Sequence, residues 1–144
     1  MKIAKILLLI STLSLLTLTT NAKTSSSNVS SSSSTTTGQD ISGNYQCRGY
    51  DPFGKSNYAN PVLVTKREDT FSFQWLNSKG YPFLLGTGVM NPDINNMVSV
   101  VFWDPKKTDY FGTEVFAIKP DSSMSATWTV QGENQVGTET CTKN

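Results

Sequence analysis

From Ile41 onward the chain sets apolar against polar residues in short alternating runs, with no stripe of helical period. Thr70–Asn77 places Phe71, Phe73 and Trp75 on one side and Ser72 and Gln74 on the other. Ser123–Val130 places Met124, Ala126, Trp128 and Val130 against Ser125, Thr127 and Thr129. A period of two is that of a strand with one buried face. Further strands are predicted at Asn44–Tyr50, Pro61–Lys66, Pro82–Met90, Met97–Trp103, Phe111–Lys119 and Gly137–Lys143. Turn formers separate them: Asp51-Pro52-Phe53-Gly54, Arg67-Glu68-Asp69, Ser78-Lys79-Gly80, Asn91-Pro92-Asp93, Asp104-Pro105, Pro120-Asp121-Ser122 and Gly132-Glu133-Asn134.

Eight strands on short turns predict an all-β fold. An open meander would leave two unpaired edges, so the expected architecture is an eight-stranded antiparallel up-and-down barrel of the calycin or avidin kind, with a β-sandwich as the alternative. The two cysteines fit closure. Cys47 lies in the first strand and Cys141 in the last, and a barrel makes those strands neighbours. A structural disulfide between them is predicted. Closing a loop of about 95 residues contributes on the order of 4 kcal/mol in the chain-entropy view.

Each of the three tryptophans is followed at a similar distance by Gly-Thr: Trp75 by Gly86-Thr87, Trp103 by Gly112-Thr113 and Trp128 by Gly137-Thr138. The midpoint of each pair falls on turn-forming residues. The spacing predicts three hairpins in which each Trp ring lies across from its glycine, an arrangement that stabilises sheets. The alternations put the tryptophans on the core face. In that register Glu114 faces Val101, Glu139 faces Ala126 and Gly88 faces Phe73, so both glutamates point inward. A buried carboxylate is costly without a partner, and its pKa rises. Three readings stay open: a structural position repeated in each hairpin, a polar spot in a ligand cavity with Trp75, Trp103 and Trp128, or a carboxylate pair for glycoside hydrolysis. The repetition favours the structural one.

The hairpin 97–118 is apolar on both faces. Val98, Val100 and Phe102 oppose Met97, Val101 and Trp103, and Phe111, Val115 and Ala117 oppose Phe116 and Ile118. A water-facing wall should be polar, so the pattern predicts cover, with self-association through 97–118 as one form of it. Tyr50, Phe53 and Tyr58 flank the first long turn; an Asp-Pro turn followed by a strand edge is favoured over a recognition loop.

The N-terminal segment changes the setting. Basic Met1–Lys5, an apolar run from Ile6 to Leu18 and Thr20-Asn21-Ala22 read as a signal peptide over 1–22. Residues 23–40 are a Ser/Thr-rich linker, too polar to bury a core, and 41–144 form the barrel domain. Loss of Lys2 and Lys5 leaves ten of the twelve basic residues against eleven acidic ones, net −1. No basic stripe marks a nucleic-acid binder. With no histidine, imidazole general bases and His-ligated metals are excluded. Asn91–Asn96 lacks the spacing of a calcium loop. No metal, cofactor or membrane span after signal cleavage is expected.

Ser42-Gly43-Asn44-Tyr45-Gln46-Cys47-Arg48-Gly49-Tyr50-Asp51-Pro52, Val64-Thr65-Lys66, Trp75, Gly86-Thr87-Gly88-Val89, Ala126-Thr127-Trp128 and Gly137-Thr138-Glu139-Thr140-Cys141 together resemble small exported bacterial β proteins that go under the label fibronectin-binding. The likeness covers most of Ser42–Lys143, and departs from it where Asp121-Ser122-Ser123 stands for the usual Asp-Gly-Ser turn. The resemblance implies a secreted, periplasmic or surface-associated domain of Gram-negative bacteria, and it brings no catalytic residues. The expected function is therefore a non-enzymatic binding module, engaged in adhesion to a host extracellular-matrix protein. The alternative is a small-molecule carrier whose barrel cavity is lined by tryptophan.

Overall fold

A computed structural model describes residues 39–144. The signal-peptide segment 1–22 and most of the linker lie outside the described residues. Eight strands follow one another: β1 Gly43–Asp51, β2 Ser56–Arg67, β3 Thr70–Leu76, β4 Pro82–Met90, β5 Met97–Asp104, β6 Lys107–Ile118, β7 Met124–Val130 and β8 Gly137–Lys143. Each pairs antiparallel with the next, and β8 returns to β1, from Tyr45 opposite Lys143 to Tyr50 opposite Thr138. The barrel is closed, which removes the sandwich alternative. Cys47 and Cys141 face each other across the closing seam and form the disulfide, with their Cα atoms 4.0 Å apart.

The turns use the side-chain chemistry of their Asp and Asn residues. Oδ1 of Asp51, Asn77, Asn91, Asp104 and Asp121 each accepts a backbone N–H two residues on, at 2.8–3.0 Å. These bonds stand in for the backbone partner that the chain loses on leaving the ladder. The first of them makes Asp51-Pro52-Phe53-Gly54-Lys55 a turn, after which β2 begins at Ser56 rather than Pro61.

The interior has two halves. At the end carrying the β2–β3, β4–β5 and β6–β7 turns it is filled. Val62, Val64, Phe71, Phe73, Val98, Val100, Phe116, Ile118 and Met124 are buried there. Phe73 stacks on Phe116 with ring centroids 5.4 Å apart. Ile41 plugs this end, its carbonyl accepting the Tyr45 hydroxyl at 2.8 Å. The disulfide is also interior, both half-cystines being fully buried.

The predicted ring-over-glycine register holds at one hairpin and shifts at two. Trp128 sits opposite Gly137 as expected. In β3–β4 the pairing slips by two residues: Phe73 faces Gly86, Phe71 faces Gly88, and Trp75 faces Leu84 beside a bulge at Trp75/Leu76. A slip of two keeps each side chain on its face, so Trp75 stays inside and still covers Gly86 diagonally. In β5–β6 an irregularity between Trp103 and Asp104 shifts the pairing by one. Phe102, not Trp103, then faces Gly112, and Val100, not Val101, faces Glu114. A one-residue slip reverses the face, and Trp103 points out of the barrel.

Candidate ligand site at one barrel mouth

The end carrying the β1–β2, β3–β4, β5–β6 and β7–β8 turns is not filled. A cavity of about 220 Å³ opens there among Tyr58, Trp75, Phe83, Leu84, Phe102, Tyr110 and Trp128, with Asp51, Ser56, Asn60, Glu114 and Glu139 as its polar lining. Interior strand positions supply most of these side chains. Trp75 packs against Phe102 at 6.0 Å with the rings tilted by 59°, and Phe102 meets Trp128 at 6.4 Å in a T-shaped pair. Phe53, from the first turn, lies 5.8 Å from Trp128.

Glycines make room for the rings. A Cβ at Gly137 would collide with the Trp128 indole, and one at Gly112 with Phe102 and the Thr129 carbonyl. The same holds at Gly49, where a Cβ would strike the Tyr58 ring. Gly49 stands between Tyr58 on β2 and Glu139 on β8 in one cross-barrel row. Its bare backbone lets the phenol reach inward, toward the carboxyls.

Glu114 and Glu139 are both buried, each only 3 % exposed. They come from β6 and β8, which flank β7, and their carboxyls are in hydrogen-bonding contact with one another. Burial pushes Glu139 up to about 6, while bonds with Trp75, Glu114 and Tyr58 hold it back. Nε1 of Trp75 donates to Glu139 Oε2 at 3.5 Å. Burial, and then the charge of Glu139, lifts Glu114 well above the ordinary carboxyl range. The two carboxyls titrate as a pair, and Glu114, the more strongly raised of the two, holds its proton to higher pH than Glu139. Glu114 Oε1 is buried without a hydrogen-bond partner.

Tyr58 completes the polar cluster. Its hydroxyl accepts from Trp128 Nε1 at 3.0 Å, and its own proton faces Glu139 and, at 3.4 Å, the Thr138 carbonyl. Burial and then the two carboxyls push its pKa far up, so it stays a phenol and a donor. Glu139 Oε2 also lies 3.6 Å from Cys141 Sγ; a disulfide sulfur carries no hydrogen, so this is a packing contact. For the same reason the grouping of Cys47, Glu139 and Cys141 offers no thiolate to a metal.

Of the residues singled out in the sequence, Trp75, Trp128, Glu114 and Glu139 meet at this cavity and Trp103 does not. Tyr58 joins them from a strand rather than a loop. Phe102, Asn60 and Tyr110 were not foreseen. The Val98-Val100-Phe102 alternation was the signal for Phe102, hidden by a second apolar face on the same strand.

That second face is real. Outward rows run Leu85–Trp103–Phe111, Thr87–Val101–Thr113 and Val89–Ser99–Val115 across β4, β5 and β6. Val101 is 47 % exposed and Trp103 36 %. Among the described residues no helix is long and apolar enough to cross a membrane. The disulfide is compatible with an extracytoplasmic location. No protein-family model matches the chain, and no curated protein matches it either.

Proposed function

We propose that this domain is a non-enzymatic binding module of a secreted or envelope-associated protein, and that it takes a small ligand into the open mouth of its barrel. One observation carries the reading: an unpartnered, buried carboxyl oxygen of Glu114 on an aromatic-walled cavity of about 220 Å³. Buried polar atoms are almost always satisfied, and exceptions concentrate where something else binds. The contact between the two carboxyls favours binding over glycoside hydrolysis. That chemistry needs the carboxyls roughly 5 Å or more apart, flanking the scissile bond. Tryptophan fluorescence of a Trp103→Phe variant, which leaves Trp75 and Trp128 as reporters, tests the reading against a panel of small ligands. Saturable change supports it, and silence across the panel removes it.

The outer rows on β4–β6 favour a second reading, adhesion to a host extracellular-matrix protein, in line with the resemblance seen in the sequence. Exposed apolar patches of this kind mark interaction surfaces. Saturable capture by immobilised matrix protein, lost in Trp103→Glu, would support it. Capture unchanged by that substitution would move adhesion elsewhere. Sedimentation showing a dimer that Trp103→Glu dissolves would assign the face to self-association through 97–118 instead.

A further inference from the structure

We infer that the barrel mouth selects a small organic cation, an ammonium group carried on a compact apolar body. The inference rests on the cavity being the binding site and names the class of ligand it takes. Three features of the lining converge on it.

The first is charge. Three acidic residues, Asp51, Glu114 and Glu139, line the cavity, and no lysine or arginine is among its lining residues. No cationic side chain figures among the groups acting on either glutamate. The negative charge of the pair is thus uncompensated by any cationic side chain, and the two carboxyls are buried, where electrostatic contacts are stronger than in water.

The second is the hydrogen-bond inventory. The indole N–H of Trp75 is directed at Glu139, that of Trp128 is taken by Tyr58, and the Tyr58 proton faces Glu139 and Thr138. The strong interior donors are used within the protein, which leaves little to greet an anion. What is left over is an acceptor, Glu114 Oε1. A ligand N–H donor satisfies it, and a ligand without one leaves it buried and unpaired.

The third is the wall. Trp75, Trp128, Phe102 and Tyr58 present aromatic surface around the carboxyls. Aromatic faces attract cations through the ring quadrupole, and best where the cation is desolvated. A bare divalent metal is a poor match, because it asks for six or more oxygen ligands rather than rings. The volume of about 220 Å³ matches about seven water molecules, room for a compact ligand of about eight non-hydrogen atoms, one of them nitrogen.

The test keeps one body and varies its charge. The full chain carrying Trp103→Phe, with its disulfide oxidised, is titrated at neutral pH with benzylammonium, benzyl alcohol and benzoate, reading Trp75 and Trp128 emission. Benzylammonium is expected to bind about tenfold or more tighter than benzyl alcohol, and benzoate more weakly still. In the Glu139→Gln background benzylammonium should fall to the level of benzyl alcohol, whose own affinity should hold. If benzyl alcohol or benzoate matches benzylammonium, the cation inference is wrong and the cavity reading survives. If none of the three changes the emission, the cavity reading fails and takes the inference with it. The wild-type charge series decides the matter even if the glutamine variant does not fold.

Discussion

Replacing Glu139 by glutamine should make the domain more stable at neutral pH and leave it nearly unchanged in acid. Glu139 is buried among Tyr58, Trp75 and Glu114, and its pKa stands at about 6 against an ordinary 4.5. The groups that act on it are the neighbouring carboxyl, the phenol and the indole N–H, none of them cationic. The folded state therefore holds its proton more tightly than the unfolded chain. Between pH 4.5 and about 6 the folded protein binds more protons, so stability falls as pH rises through that window. Above it the deficit is complete, at about 2 kcal/mol for a displacement of this size. Below 4.5 both states are protonated and the deficit is gone. Glutamine keeps an oxygen acceptor for Trp75 and never ionises. The variant should gain about 2 kcal/mol at pH 7.5, on the order of 10 °C in Tm for a domain of this length. Urea denaturation of both proteins at pH 7.5 and pH 4.5 measures it. Exposed groups such as Asp40 and Asp121 titrate alike in the two proteins, and their contributions cancel in the difference. A Glu139→Gln effect of equal size at both pH values would refute the buried-charge argument, as would a variant less stable at pH 7.5 than at pH 4.5 relative to wild type.

The same proton governs binding: affinity for benzylammonium should weaken as pH drops through about 6, where Glu139 becomes neutral, and a flat fluorescence titration from pH 7.5 to 5 would contradict it. Gly137→Ala should cost about 1–3 kcal/mol in urea unfolding and shift Trp128 emission, because the new methyl group meets the indole. Cys47→Ser with Cys141→Ser should cost on the order of 4 kcal/mol, seen as a lowered urea midpoint equal to that of the reduced wild type. Trp103→Phe, on the outer wall, should change stability by no more than about 0.5 kcal/mol in the same assay.

Strand order and closure were legible in the sequence because they follow from local signals. Alternation marked the strands, Asp and Asn marked the turns, and a meander that closes brings its first and last strands together with their cysteines. The parity of β5 was not legible. Met97–Asp104 is apolar on both faces, so alternation does not say which side is inside. Register then depended on the β5–β6 turn, whose irregularity at Trp103/Asp104 lies below the resolution of a spacing argument. The inward direction of Glu114 was nevertheless correct, since the error fell on its neighbour strand: Gly112, Glu114, Phe116 and Ile118 share the inner face of β6 whatever β5 does. Tyr58 was visible only as an aromatic near a turn. Its place beside Glu139 depends on β2 starting early and on Gly49 being bare between them.

The cavity and the disulfide belong to one arrangement. Glu139 stands two residues before Cys141, on the same inner face of β8. Directly toward the filled end, apolar packing and a covalent seam hold the barrel shut; directly toward the mouth, the buried Glu139 carboxylate opposes folding by about 2 kcal/mol, with Glu114 raised beside it. Two valines or leucines at 114 and 139 would fill the space and remove that penalty, and buried ionic groups are often replaced this way without loss of fold. Here the costly pair coincides with the open mouth of the barrel. Gly137, Gly112 and Gly49 add to that pattern, since each withholds a side chain where it would displace a cavity-lining ring. Local departures from best packing gather at functional sites. In this barrel they gather around Glu114 and Glu139, which is the reason to look for the ligand there rather than on the wall outside.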